Sequence, residues 1–136
     1  MPPVGGVIIV ANHVSEFDPP LLVSSVNRKV KILAKSGIFS GPFQRWFLNK
    51  YGAFPVRRGV VDRSAYLWVL DQLDLENAVV IFPEGTRSLN GMRKGKSGVA
   101  RIALQSKSPI LPIGITGTKN MCKWTRVFHP SGNIQV

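Results

Sequence analysis

Two uninterrupted apolar runs, Val7-Ile8-Ile9-Val10 and Ala78-Val79-Val80-Ile81-Phe82, constrain the fold of this chain more than any other feature. Both have strand length, both are rich in β-branched residues, and neither alternates with polar positions. A strand that is apolar on both faces must be covered on both, as a central strand is in a sheet flanked by helices. Three further extended segments join them. Arg28 to Ala34 alternates, Ala53-Phe54-Pro55-Val56 carries a proline suited to an edge, and Pro109 to Thr116 is flanked by prolines.

Helical patterns lie between the strands. Asp18-Pro19-Pro20 opens a helix running to about Val26, with Asp18 as N-cap and Pro19 at the first helical position. Gly41-Pro42 opens Phe43 to Tyr51, apolar at 43, 46, 47 and 51, and Gly52 ends it. This aromatic stripe is expected to pack into the core. Asp62 to Glu76 is apolar at 65, 66, 69, 70 and 73, and Gly98 to Ser106 at 99, 102 and 103. Val127-Phe128 reads as a short extended piece, Ser131-Gly132 as a turn, and Ile134-Gln135-Val136 as the start of one more strand. The alternation predicts an α/β fold, a mainly parallel twisted sheet flanked by helices.

The 136 residues suit one domain, residues 1–136, with a real core. No apolar run approaches the roughly 20 residues of a membrane-spanning helix. The single Cys122 excludes an internal disulfide, and the sequence has no cluster with metal-ligand spacing. The charge is +11, from 18 Lys+Arg against 7 Asp+Glu, which favours anionic partners: a nucleic acid, an acidic membrane surface or a phosphorylated small molecule. Aromatics are not interleaved with the basic residues as base-stacking platforms require, so nucleic acid is not expected.

The loop after the first strand is Asn12-His13-Val14-Ser15-Glu16-Phe17-Asp18. Sites in α/β sheets gather at the carboxyl ends of strands. An imidazole, titrating near about 6.5 in water, can act as general base, and a carboxylate on its far nitrogen would fix the tautomer and stabilise the imidazolium. Five helical steps would leave His13 and Asp18 about 140° apart, so they can meet only across a turn. The alternative is that His13 merely ends a strand and Asp18 merely caps a helix. Backbone N–H groups near the helix at Pro19 are one candidate for holding an oxyanion.

A second loop, Pro83-Glu84-Gly85-Thr86-Arg87-Ser88, also follows a strand and continues through Arg93, Lys94, Gly95 and Lys96. Gly85 permits close backbone approach, Thr86 offers a hydroxyl and Arg87 a fork of donors, a set built to hold an anion. Glu84 would repel a phosphate, so it suits orienting an arginine or a substrate hydroxyl. Arg57-Arg58-Gly59, after the third strand, is either a phosphate clamp or a solvated basic turn.

Together, Asn12-His13-x4-Asp18, Gly52-Ala53-Phe54-Pro55-Val56-Arg57, Phe82-Pro83-Glu84-Gly85-Thr86-Arg87-Ser88 and Ile110-Leu111-Pro112-Ile113 resemble the four blocks of the glycerophospholipid acyltransferase family, in that family's order. The nearest likeness is to the bacterial 1-acylglycerol-3-phosphate (lysophosphatidic acid) acyltransferases. The resemblance implies transfer of an acyl chain from acyl-coenzyme A or acyl carrier protein to the free hydroxyl of lysophosphatidic acid, with no cofactor. It puts the catalytic pair on His13 and Asp18. Acceptor binding falls on Arg57, on Glu84, Gly85, Thr86 and Arg87, and on Lys96. It also implies association with an anionic membrane surface on the cytoplasmic face. Family members carry an N-terminal helical segment and continue past the position of Val136, so the sequence reads as an acyltransferase domain lacking both ends.

Overall fold

The computed structural model of the chain describes residues 1–88, 90–119 and 134–136. The elements alternate as β1 (Val7–Ala11), α1 (Asp18–Ser25), β2 (Val30–Lys35), α2 (Pro42–Lys50), β3 (Ala53–Val56), α3 (Arg63–Asp74), β4 (Ala78–Ile81), α4 (Gly98–Ser106) and β5 (Ile110–Ile113). A short 3-10 turn, Ser36–Ile38, lies between β2 and α2. The strands form one sheet in the order β3-β2-β4-β1-β5, and every pair is parallel. This is the α/β sheet that the alternation predicts. The two uninterrupted apolar runs, β4 and β1, lie side by side in its interior, with Ile8 opposite Val79 and Ile9 opposite Val80. Pro55 sits in the edge strand β3, where a missing donor costs no ladder bond on the open side.

Side chains leave a strand on alternate faces, and each face has its own core. Val7, Ile9 and Ala11 of β1 join Ile32, Val80, Leu22 of α1, Phe39 and Ile115 on one face. Ile8, Val79 and Ile81 join Val69, Leu70 and Leu73 of α3 and Ile102 of α4 on the other. A one-residue slip of β1 would exchange these two sets, so register is strongly fixed. At the amino edge, the Arg28 guanidinium donates to the carbonyls of Pro2, Gly5 and Glu76, tying the lead-in to the end of α3.

Four expectations change in detail. Helix α1 begins at Asp18 itself, with Phe17 in the cap position, because the Asp18 carboxylate turns back toward the preceding loop. Helix α3 stops at Asp74. Glu76 takes the left-handed conformation, with Glu76 N–H donating to the Leu73 carbonyl and Asn77 N–H to that of Gln72, a Schellman ending. Strand β5 ends at Ile113. Beyond it, the Asn12 side chain receives the Ile115 N–H at 2.7 Å and donates to its carbonyl at 2.8 Å, imitating a ladder pair. Most consequentially, the stripe on α2 does not enter the core. Leu48 makes the core contact of this helix. At about 100° per residue Leu48 lies about 140° from Phe43 and about 160° from Trp46, so the aromatics point outward. Gln135 forms an antiparallel bridge with Thr116. Val127-Phe128 and Ser131-Gly132 lie outside the described residues.

Helix α3 is capped by Asp62, whose Oδ1 accepts the Ala65 N–H and the Ser64 hydroxyl while Oδ2 accepts the Arg57 N–H. The Ser64 hydroxyl, then the Arg57 and Ala65 N–H groups, push its pKa from 3.8 down to about 2. A depressed carboxyl stabilises the fold above its unfolded value and loses that contribution as pH falls through the folded one. Stability should therefore decline between pH 3.8 and about 2 through this group, and Asp62→Asn should remove that part of the decline in acid-unfolding curves. Asp62→Ala should cost about 1–2 kcal/mol in urea denaturation at neutral pH, the usual loss for an N-cap.

Candidate active site

Because β1 and β4 are neighbours and parallel, the loops that follow them emerge side by side at the carboxyl edge of the sheet. The first loop folds around one carboxylate oxygen. Asp18 Oδ2 lies 3.0 Å from His13 Nδ1 and accepts the N–H groups of Val14 at 2.6 Å and Ser15 at 2.7 Å. Asp18 is fully buried and His13 nearly so. Burial is the largest influence on Asp18 and raises its pKa, but hydrogen bonds from His13, Thr118, Ser15 and Val14 together outweigh it and hold the carboxyl below its usual value. The carboxylate is thus an acceptor at neutral pH. Nδ1 must carry the ring proton, which leaves the Nε2 lone pair for a substrate. The Phe82 ring stacks on the imidazole at 4.5 Å and fixes its plane.

The sequence pattern gave no hint of Thr118. It is fully buried, and its hydroxyl and Asp18 Oδ1 are two buried oxygens that complete no hydrogen bond of full geometry. The hydroxyl nonetheless acts on the carboxylate strongly enough to lower its pKa. Thr118→Val, nearly the same shape without the donor, should move the Asp18 pKa upward, so that stability begins to fall at a higher pH in acid. An NMR titration of the carboxyl carbon reads this directly, and an unchanged pKa would remove Thr118 from the network.

The second loop grips the first by its backbone. Glu84 Oε1 accepts the His13 N–H at 3.3 Å, and the His13 carbonyl accepts the Ser88 N–H at 2.8 Å. Glu84 Oε2 accepts the Arg93 N–H at 2.9 Å. Glu84 is buried, and both oxygens are engaged by backbone rather than by an arginine side chain. The backbone near Pro19 is similarly occupied. Val14 and Ser15 N–H serve Asp18, Phe17 N–H serves the Ser15 hydroxyl, and Asp18 N–H serves the Ser15 carbonyl. These four N–H groups are engaged within the loop itself.

The cations divide into two sets. His13, Arg57, Gly85 and Lys96 line one cleft of about 860 Å³ between the carboxyl ends of β3 and β4 and the first turns of α3 and α4. Its wall is apolar (Val56, Val69, Ile81, Phe82, Val99, Ile102), and Arg58, Arg63 and Arg101 add to its positive rim. Gly85 has φ 68°, a conformation that favours glycine, and the Lys96 side chain crosses over it, 3.2 Å from where a Cβ would stand. Thr86 is half-buried in the same turn. Arg87 is not among the lining residues of the cleft. Its Nη1 lies 3.0 Å from Glu16 Oε1, in an exposed pair that solvent screens strongly. A guanidinium already matched to one oxyanion, at little cost to release, is free to take another.

The comparisons with known proteins follow the same outline. A family model described as Acyltransferase matches residues 1–116. The chain is 31% identical over 139 residues to a 1-acyl-sn-glycerol-3-phosphate acyltransferase of Borreliella burgdorferi, covering 100% of this chain and 56% of that protein. It is 31% identical over 131 residues to the enzyme of the same name from Streptococcus pneumoniae, covering 93% and 48%. The crystal structure of the 1-acyl-sn-glycerophosphate (LPA) acyltransferase of Thermotoga maritima superposes with a TM-score of 0.75 at 28% identity, over 97% of this chain and 50% of that one. The chain spans about half the length of these three proteins.

Proposed function

The chain belongs to the acyltransferase family, and on that premise we propose that it carries the reaction centre of a 1-acylglycerol-3-phosphate O-acyltransferase. The reaction moves a fatty acyl chain from acyl-coenzyme A or acyl carrier protein to the free hydroxyl of lysophosphatidic acid, giving phosphatidic acid. The observation that carries this reading is the His13–Asp18 contact of 3.0 Å at the wall of a cleft with an apolar lining and a basic rim.

His13 Nε2 takes the proton from the acceptor hydroxyl as that oxygen attacks the thioester carbonyl. Asp18 offsets the positive charge that the ring acquires. Collapse of the tetrahedral intermediate expels the thiolate, a good leaving group, which takes the proton back from the imidazolium, and the acylated acceptor departs. A thioester is itself an activated donor, so we assign the reaction no cofactor beyond its co-substrate. Arg57 and Lys96 on the cleft, with Arg87 beside it, hold the acceptor phosphate and set the hydroxyl against the imidazole; such positioning can lower a barrier by several kcal/mol. Gly85 and Thr86 shape the turn that leads into Arg87. Glu84 serves acceptor binding from behind, by fixing the backbone of both loops. The acceptor being a membrane lipid, we place the enzyme on an anionic membrane surface at the cytoplasmic face. Among the described residues no helix is long and apolar enough to cross a membrane.

The test is thiol release from acyl-coenzyme A, with and without lysophosphatidic acid. Release that depends on the acceptor and yields phosphatidic acid is the expected result. Release that ignores the acceptor would make the chain a thioesterase, and no release from either acyl-coenzyme A or acyl carrier protein would overturn the reading.

A further inference from the structure

Helix α2 is amphipathic in the wrong direction for a soluble surface. Phe43, Trp46, Phe47 and Tyr51 are 69%, 58%, 43% and 57% exposed. They are one patch rather than scattered residues, because Phe43 contacts Trp46 and Phe47 at ring-centroid distances of 6.1 and 6.3 Å, and Phe47 meets Tyr51 at 4.6 Å. Lys50 lies in the same arc, with its ammonium 5.1 Å from the Trp46 ring centroid. A contiguous apolar patch of this kind marks an interaction surface.

The charge of the segment that carries it, with Lys50 on the patch itself, points to the partner. Residues 19–61 contain Arg28, Lys29, Lys31, Lys35, Arg45, Lys50, Arg57 and Arg58 and not one Asp or Glu. An unrelieved positive stretch on a second copy would repel this one. Aromatic rings that carry a polar tip or an adjacent cation suit the headgroup level of a bilayer, with apolar faces inward and ammonium groups toward lipid phosphate. We propose that the outer face of α2 docks on an anionic lipid bilayer, with Phe43, Trp46 and Phe47 inserted and Lys50 at headgroup height. Helix α2 also joins β2 to β3, the strand that leads directly into Arg57. The docking does not rest on the acyl-transfer reading.

The test is sedimentation of the full chain with vesicles of phosphatidylcholine alone or with 30 mol% phosphatidylglycerol (a composition chosen for the assay, of order one anionic lipid in three). The chain should bind the anionic vesicles and be released by salt. Phe43→Ser combined with Phe47→Ser should weaken binding about tenfold or more, and Lys50→Glu should weaken it on anionic vesicles only. Circular dichroism checks folding, which these exposed positions should not disturb. Unchanged binding in the double variant, no binding by the wild type, or a self-associated chain that the double variant dissociates would each overturn the proposal. Transfer to a short-chain, water-soluble lysophosphatidic acid is measured in parallel. It should be the same in the wild type and the double variant, and its absence in both would sink the acyl-transfer reading while leaving the docking result standing.

Discussion

His13→Ala lowers kcat by about 10²–10⁴-fold, the usual worth of a positioned general base, while acceptor KM and the fold stay close to wild type. The fold survives because the second loop holds residue 13 by its backbone: its N–H reaches Glu84 and its carbonyl receives the Ser88 N–H. Alanine keeps both groups and loses only the ring stacked on Phe82. Asp18→Asn should also be folded, since a side-chain oxygen can still accept the Val14 and Ser15 N–H groups. Because His13 Nδ1 and both N–H groups meet the same oxygen, the amide oxygen that keeps the fold also keeps the tautomer but supplies no charge to the imidazolium, and kcat falls. The double variant should be hardly worse than His13→Ala, because residues acting as one unit are not additive. Single-turnover rates of the four proteins decide the matter. A folded His13→Ala enzyme at the wild-type rate would sink the mechanism, and a folded Asp18→Asn enzyme at that rate would reduce Asp18 to a loop brace.

Removing the clamp arginines should act on binding instead. Arg57→Ala and Arg87→Ala each remove a charge-assisted contact worth about 1.5–3 kcal/mol, equivalent to about 10–150-fold in KM for a phosphorylated acceptor. Lysine at either position should recover only part of this, since an ammonium lacks the planar fork. The structure adds an arm that separates the two. Glu16 occupies Arg87 at 3.0 Å, so Glu16→Gln should free that guanidinium and lower the acceptor KM modestly, leaving the contribution of Arg57 unchanged. Wild-type kinetics with lysophosphatidic acid in both alanine variants would show that the phosphate is held elsewhere.

The parts of this molecule that can be read from its sequence are those that local pattern determines. β1 and β4 are apolar throughout because both faces are covered, and that condition leaves its mark residue by residue. The meeting of His13 and Asp18 follows from a strand, a six-residue loop and a proline-opened helix, all contiguous. Helix α2 shows the limit of such patterns. A spacing of 43, 46, 47 and 51 states that four aromatics share a face, but not which way the face points; the placement of Leu48 over the core decided that. The supporting groups are illegible for a different reason. Glu84 reaches His13 across 71 residues and Asn12 reaches Ile115 across 103. Nothing near either end announces its partner.

Those two separations also set a timetable for the chain during synthesis. β1 leaves the ribosome before either of its ladder partners: β4 and β5 are made later than α1, β2, β3 and α3. At about 5–20 residues per second, roughly 4–14 s pass between translation of His13 and translation of Glu84. Until β4 arrives, the most apolar strand of the protein has no neighbour, and the histidine has no frame to hold it. The nascent chain is therefore chemically silent but sticky, a natural client for chaperones. The frame that fixes the His13 backbone is complete only once β4 and the loop after it have been made.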